Sequence, residues 1–133
     1  MCRYTFFYKK VPSEKHRAIY ETVRRANAAA EAILKPGVPL CEVDKAARQI
    51  IEDAGYGPNF THRLGHFIGL EVHEYGDVSS ANTKVAEVGN IFSIEPGIYV
   101  EGEVGVRIED LVLITEDGCE ILNSFSKEVD IVE

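Results

Sequence analysis

From residue 13 onward the apolar positions recur at helical spacing. Ile19, Val23, Ala26, Ala30 and Ile33 follow at intervals of four, three, four and three residues, which places them on one face of a helix. Ser13 is positioned to cap its N-terminus, Glu14 lies in the first turn, and Pro36-Gly37 stops it after about twenty residues. Leu40, Val43, Ala47, Ile50 and Ile51 predict a second helix, with a polar side at Glu42, Asp44, Lys45, Arg48 and Gln49 and an end at Gly55. Ahead of both, Tyr4-Thr5-Phe6-Phe7-Tyr8 is β-prone and is followed by Lys9-Lys10 and Pro12, the pattern of an edge strand.

Beyond Gly55 the texture changes. Glycines recur at 65, 69, 76, 89, 97, 102, 105 and 118, and short β-type runs lie between them: Ile91-Phe92-Ser93-Ile94, Ile98-Tyr99-Val100, Val106 to Ile114, and Cys119 to Leu122. Asp117-Gly118 is a hairpin signal between the last two. Two helices followed by a bent, mostly antiparallel sheet define an α+β fold, and residues 1–133 read as one domain.

Composition excludes several classes. Fourteen basic against 22 acidic side chains give a net charge of −8, which argues against nucleic acid or an anionic membrane surface as a partner. Hydrophobic residues make up 45% and charged residues 27%, ordinary for a globular chain, and no apolar run is long enough to span a membrane. The N-terminus lacks an apolar signal-peptide core, so a cytoplasmic location is expected. Cys2, Cys41 and Cys119 are too widely spaced for a disulfide framework or a zinc ribbon and are expected to be reduced thiols.

Histidine is unevenly distributed: of four, His62, His66 and His73 fall within twelve residues. Glu95 and Glu109 are carboxylates inside runs rich in Ile, Val and Phe, where a bare charge is costly and must be paired, solvated or bound to a cation. In Val106-Arg107-Ile108-Glu109, strand alternation sets the two apolar side chains on one face and Arg107 with Glu109 on the other. That face is either solvated, with Arg107 beside Glu109, or functional. His66 is either a hydrogen-bonded structural imidazole or a ligand, and flanking Gly65 and Gly69 favour close backbone approach to a ligand. One imidazole and two strand-borne carboxylates form an N,O,O donor set suited to Mn, Fe, Co or Zn. His62 and His73 are then candidates for substrate binding or proton transfer. No phosphate loop, dinucleotide fingerprint, Cys-x-x-Cys or nucleophile elbow occurs.

Three motifs together carry a resemblance: Gly65-His66-Phe67-Ile68-Gly69-Leu70-x-x-His73-Glu74, Ile94-Glu95-Pro96-Gly97-Ile98-Tyr99 and Val106-Arg107-Ile108-Glu109-Asp110. With 29 residues from His66 to Glu95 and 14 from Glu95 to Glu109, the chain resembles the C-terminal half of the catalytic domain of the pita-bread metallopeptidases, and within them Xaa-Pro dipeptidases (prolidases) and Xaa-Pro aminopeptidases. The resemblance implies half of a pita-bread fold and hydrolysis of the peptide bond before proline with Mn, Co or Zn. It implies metal ligation by His66, Glu95 and Glu109, catalytic roles for His73, Glu95 and Arg107, and substrate contacts from His62, His73 and Tyr99.

The chain also departs from the family pattern. The complete site holds two metals on five ligands, two of them upstream aspartates, whereas no aspartate precedes Asp44 here. Phe67 stands where a small residue is common, and Pro39 where Ser or Thr caps the second helix. The expectations are a truncated C-terminal half holding at most one metal, inactive alone, that forms a homodimer or associates with the missing N-terminal half to act on Xaa-Pro peptides. The alternative is a non-catalytic peptide- or protein-binding module of the same fold, although such modules typically lose the ligand residues retained here.

Overall fold

The structure, a computed structural model, describes Phe7–Tyr8 and residues 12–131. Strand β1 (Phe7–Tyr8) precedes helices α1 (Glu14–Ile33) and α2 (Leu40–Asp53), a 3-10 turn at Gly57–Asn59, and strands β2 (Gly65–His66), β3 (Asp77–Val78), β4 (Ile91–Ile94), β5 (Gly97–Val100), β6 (Val104–Arg107), β7 (Asp110–Ile114), β8 (Cys119–Ile121) and β9 (Asp130–Ile131). The expected order of helices followed by a mostly antiparallel sheet is observed. Tyr4 to Phe6 and Lys9-Lys10 of the expected edge strand, and Cys2, lie outside the described residues.

Local chemistry accounts for both helices. Ser13 is extended and its hydroxyl accepts from the His16 N–H (3.1 Å), capping α1. At the end of α2, Gly55 takes φ +88°, Gly55 N–H donates to Glu52 O (2.9 Å) and Tyr56 N–H to Ile51 O (3.0 Å), the paired bonds of a glycine C-cap. Ile19, Val23, Ala26 and Ala30 are buried against α2 and the sheet, but Ile33 is 37% exposed and Leu34, after the last turn, takes its place in the core. Asp44 is a second correction to the helical pattern. It is fully buried rather than on the polar side, and its carboxylate accepts from Arg48 Nε (2.8 Å) and Nη2 (3.0 Å) and from Leu64 N–H (3.2 Å). Arg48 in turn donates to the carbonyls of Phe60 (3.1 Å) and His62 (3.0 Å), so this i,i+4 pair holds the loop that leads into β2.

The expected Val106–Ile114 run is two strands, broken at Ile108-Glu109. The β4–β7 ladder pairs Ile94 with Asp110, and the β5–β6 ladder pairs Gly97 with Arg107. Both ladders keep one register, so together they form a long bent hairpin turning at Gly102 (φ +72°). The break falls at Pro96, which has no N–H to donate to a ladder; its carbonyl accepts from Ile108 N–H (3.3 Å). Val106, Ile108, Asp110, Val112 and Ile114 are buried on one face, and Arg107 and Glu109 project from the other. β8 follows the Asp117-Gly118 turn and pairs antiparallel with β7, as expected. Cys41 and Cys119 are free thiols. Among the described residues no helix is long and apolar enough to cross a membrane.

Candidate metal centre

The shared register of the two ladders sets Glu95 and Glu109 opposite one another across the Pro96 break. His66 reaches them from β2, which is fastened to β4 by three backbone or side-chain bonds. His66 N–H donates to Ser93 Oγ (3.0 Å), Glu95 N–H to Leu64 O (2.7 Å) and Ile68 N–H to Ile91 O (3.0 Å). Phe67 stacks on Phe92 with centroids 5.3 Å apart, which anchors the same segment.

One donor atom from each of His66, Glu95 and Glu109 lies within 4.8 Å of the others. Their side chains are only 7%, 14% and 11% exposed, so neither carboxylate is on a solvated face. His66 Nδ1 lies 3.1 Å from the Phe67 carbonyl. A carbonyl only accepts, so Nδ1 carries a proton, and in the neutral ring the Nε2 lone pair faces Glu95 Oε2, 3.6 Å away. Burial, and then the charge of Glu95, push the Glu109 carboxyl above the ordinary carboxylate range, while Arg107 and His66 pull the other way. A lone pair and two mutually repelling carboxylates therefore converge in a sheltered site, an arrangement that a divalent cation satisfies.

The remaining sequence candidates surround this group. His73 is exposed, and its ring lies 4.1 Å from that of His66, centroid to centroid. Arg107 Nη2 is 3.9 Å from Glu109 Oε2 and also hydrogen-bonds Tyr99. Burial raises the Tyr99 phenol pKa, and Arg107 opposes that rise. His62 Nδ1 lies 2.7 Å from Arg63 O, so its Nε2, 2.7 Å from the Tyr99 oxygen, accepts the phenolic proton in the neutral ring. His62, Tyr99, Arg107 and Glu109 thus form one connected chain. Sequence reasoning missed Ser93 and the Asp44–Arg48 pair as positioning residues. Ser93 is a lone hydroxyl in an apolar strand, and the i,i+4 spacing of Asp44 and Arg48 was the available signal for the pair.

The profile of metallopeptidase family M24 matches residues 1–116, and the chain belongs to that family. An uncharacterized peptidase of Staphylococcus haemolyticus is 54% identical over 116 residues, which are 87% of this chain and 33% of that protein. Among solved structures, the prolidase from Pyrococcus furiosus is 47% identical with a TM-score of 0.85, over 86% of this chain and 34% of that one. The X-Pro aminopeptidase from Thermotoga maritima is 39% identical with a TM-score of 0.91, over 98% and 36%. The pita-bread resemblance is borne out, and the chain spans about a third of the length of these relatives.

Proposed function

We propose that residues 1–133 are the C-terminal, metal-binding half of an Xaa-Pro dipeptidase-like catalytic unit that acts in the cytoplasm on the peptide bond before proline. The observation that carries this reading is the convergence of His66, Glu95 and Glu109 within 4.8 Å in a chain of the M24 family. These three residues hold a divalent metal, Mn, Co or Zn. Bound there, such an ion supplies an acidified water and polarises a peptide carbonyl. Glu95 Oε2 takes up the proton released at the attacking water. His73, exposed beside the His66 ring, donates to the substrate oxygen as it gains charge. Arg107 opposes the rise in the Glu109 pKa and holds Tyr99, and the Tyr99–His62 pair lines the substrate side.

The chain offers three of the five ligands of the complete family site. The two aspartates come from outside these 133 residues, from an N-terminal half, and the chain alone binds at most one ion and is inactive. Retention of all three ligands weighs against a purely peptide-binding module. Equilibrium dialysis against Mn2+ and Co2+, with an Xaa-Pro dipeptide assay beside it, tests the reading. The expected result is one ion per chain, lost in Glu95→Gln, and no hydrolysis by the chain alone. No bound ion at millimolar metal overturns the metal site, and hydrolysis by the isolated chain overturns the need for outside ligands.

A further inference from the structure

On the face of the hairpin opposite the metal group, a single ammonium ties together the two strands that carry Glu95 and Glu109. Lys127 Nζ lies 2.5 Å from Asp110 Oδ2 and donates to Asn27 Oδ1 (2.6 Å). Asp110 immediately follows Glu109 in the chain. Asn27, on α1, donates from Nδ2 to the carbonyl of Ile94 (3.3 Å), the residue before Glu95. Asn27 and Asp110 are both fully buried. The bridge joins Ile94 and Asp110, the last pair of the β4–β7 ladder before Pro96 interrupts it.

The segment bearing Lys127 is itself secured. Asn123 Nδ2 donates to Asp110 Oδ1 (2.7 Å), Leu111 N–H to Asn123 Oδ1 (2.7 Å), and the Tyr20 hydroxyl to the Lys127 carbonyl (2.6 Å). Lys127 also lies 3.6 Å from Glu31 Oε2. Lys127 falls beyond the residues matched by the family profile, so nothing in that match assigns it a role.

We infer that Lys127 is a positioning residue for the metal centre: by bridging Asp110 and Asn27 it sets the separation of the Glu95 and Glu109 carboxylates and thereby metal affinity. The inference rests on the metal-site reading above. Its test is a Co2+ titration of the full chain, read by calorimetry and by the visible absorption of the bound ion, for wild type, Lys127→Met, Lys127→Gln and Val23→Ala. The last opens a cavity in α1 without touching the bridge and serves as a stability control. Lys127→Met is expected to weaken Co2+ binding about tenfold or more and to shift the absorption bands, as loss of a group supporting metal ligands does. Lys127→Gln falls between Lys127→Met and wild type, and decides the matter if Lys127→Met does not fold. Val23→Ala keeps the affinity and spectrum of wild type despite a lower Tm. Wild-type affinity and spectrum in the Lys127 variants overturn the inference, as does an equal weakening in Val23→Ala. If wild type itself binds no Co2+, the metal-site reading fails, and the positioning role falls with it.

Discussion

Gly65 has no room for a β-carbon: one built there would lie 1.8 Å from the carbonyl oxygen of Ser93. This contact is backbone against backbone, so no side chain can rotate away to relieve it. Gly65→Ala must therefore push β2 off β4 and carry His66 away from the two glutamates. The expected cost is about 1–3 kcal/mol of stability, read from urea unfolding, together with loss of metal binding. A variant that keeps both would show that β2 is not held in this way. The sequence marks Gly65 as a place of close approach, but to a ligand, whereas the structure shows approach to a neighbouring strand. The difference arises because β2 is two residues long, too short for any periodicity to reveal its partner. Asp44 was obscured for a related reason. Helical periodicity sorts residues by polarity, and a buried carboxylate satisfied by Arg48 and the Leu64 N–H looks like a surface residue until its partners are known.

Among the elements, the helices follow directly from apolar spacing, a Ser cap and a Gly stop, because each of these signals is local. The hairpin is legible only in part. Its strands and its Pro96 break are visible in the sequence, and Glu95 and Glu109 are equidistant from Gly102, but their pairing depends on knowing that the chain turns there. Least legible is the contact of α1 with β7, where Glu31 meets Asp110 across the core. Burial, and then the hydrogen bond to Asp110, push the Glu31 carboxyl up to about 8. Burial works against ionisation of Asp110 as well, but bonds from Glu31, Lys127 and Asn123 outweigh it and hold Asp110 down at about 2. Folding thus favours the acid form of Glu31 from its ordinary 4.5 up to about 8. That contribution is complete below the ordinary value, declines as pH rises and is gone above the folded one. Asp110 acts in the opposite sense, contributing above its ordinary 3.8 and losing that contribution as pH falls toward about 2. Above pH 5 the Glu31 proton adds to the effect of the raised Glu109 carboxyl, so wild type is expected to lose stability as pH rises toward 8. Glu31→Gln, neutral at this position throughout, is expected to lose less stability than wild type over that range and to exceed it in Tm at pH 8. Parallel slopes in thermal melts of the two proteins would remove the shared proton from this explanation.

For the whole molecule, one long bent hairpin brings two carboxylates face to face, a short strand delivers an imidazole to them, and two helices cover the opposite side. The family was legible from three motifs and their spacing, because the groups that hold a metal must recur in a fixed arrangement. What the sequence left open was whether those groups meet within this chain, which spans about a third of its relatives' length. They do meet, with donor atoms of His66, Glu95 and Glu109 within 4.8 Å of one another. The most direct measurement is diffraction at the zinc absorption edge from crystals of the chain grown with Zn2+. The expected result is an anomalous peak about 2.0–2.2 Å from His66 Nε2 and from one carboxylate oxygen each of Glu95 and Glu109. A peak that touches none of the three, or no peak at saturating zinc, would contradict the metal centre.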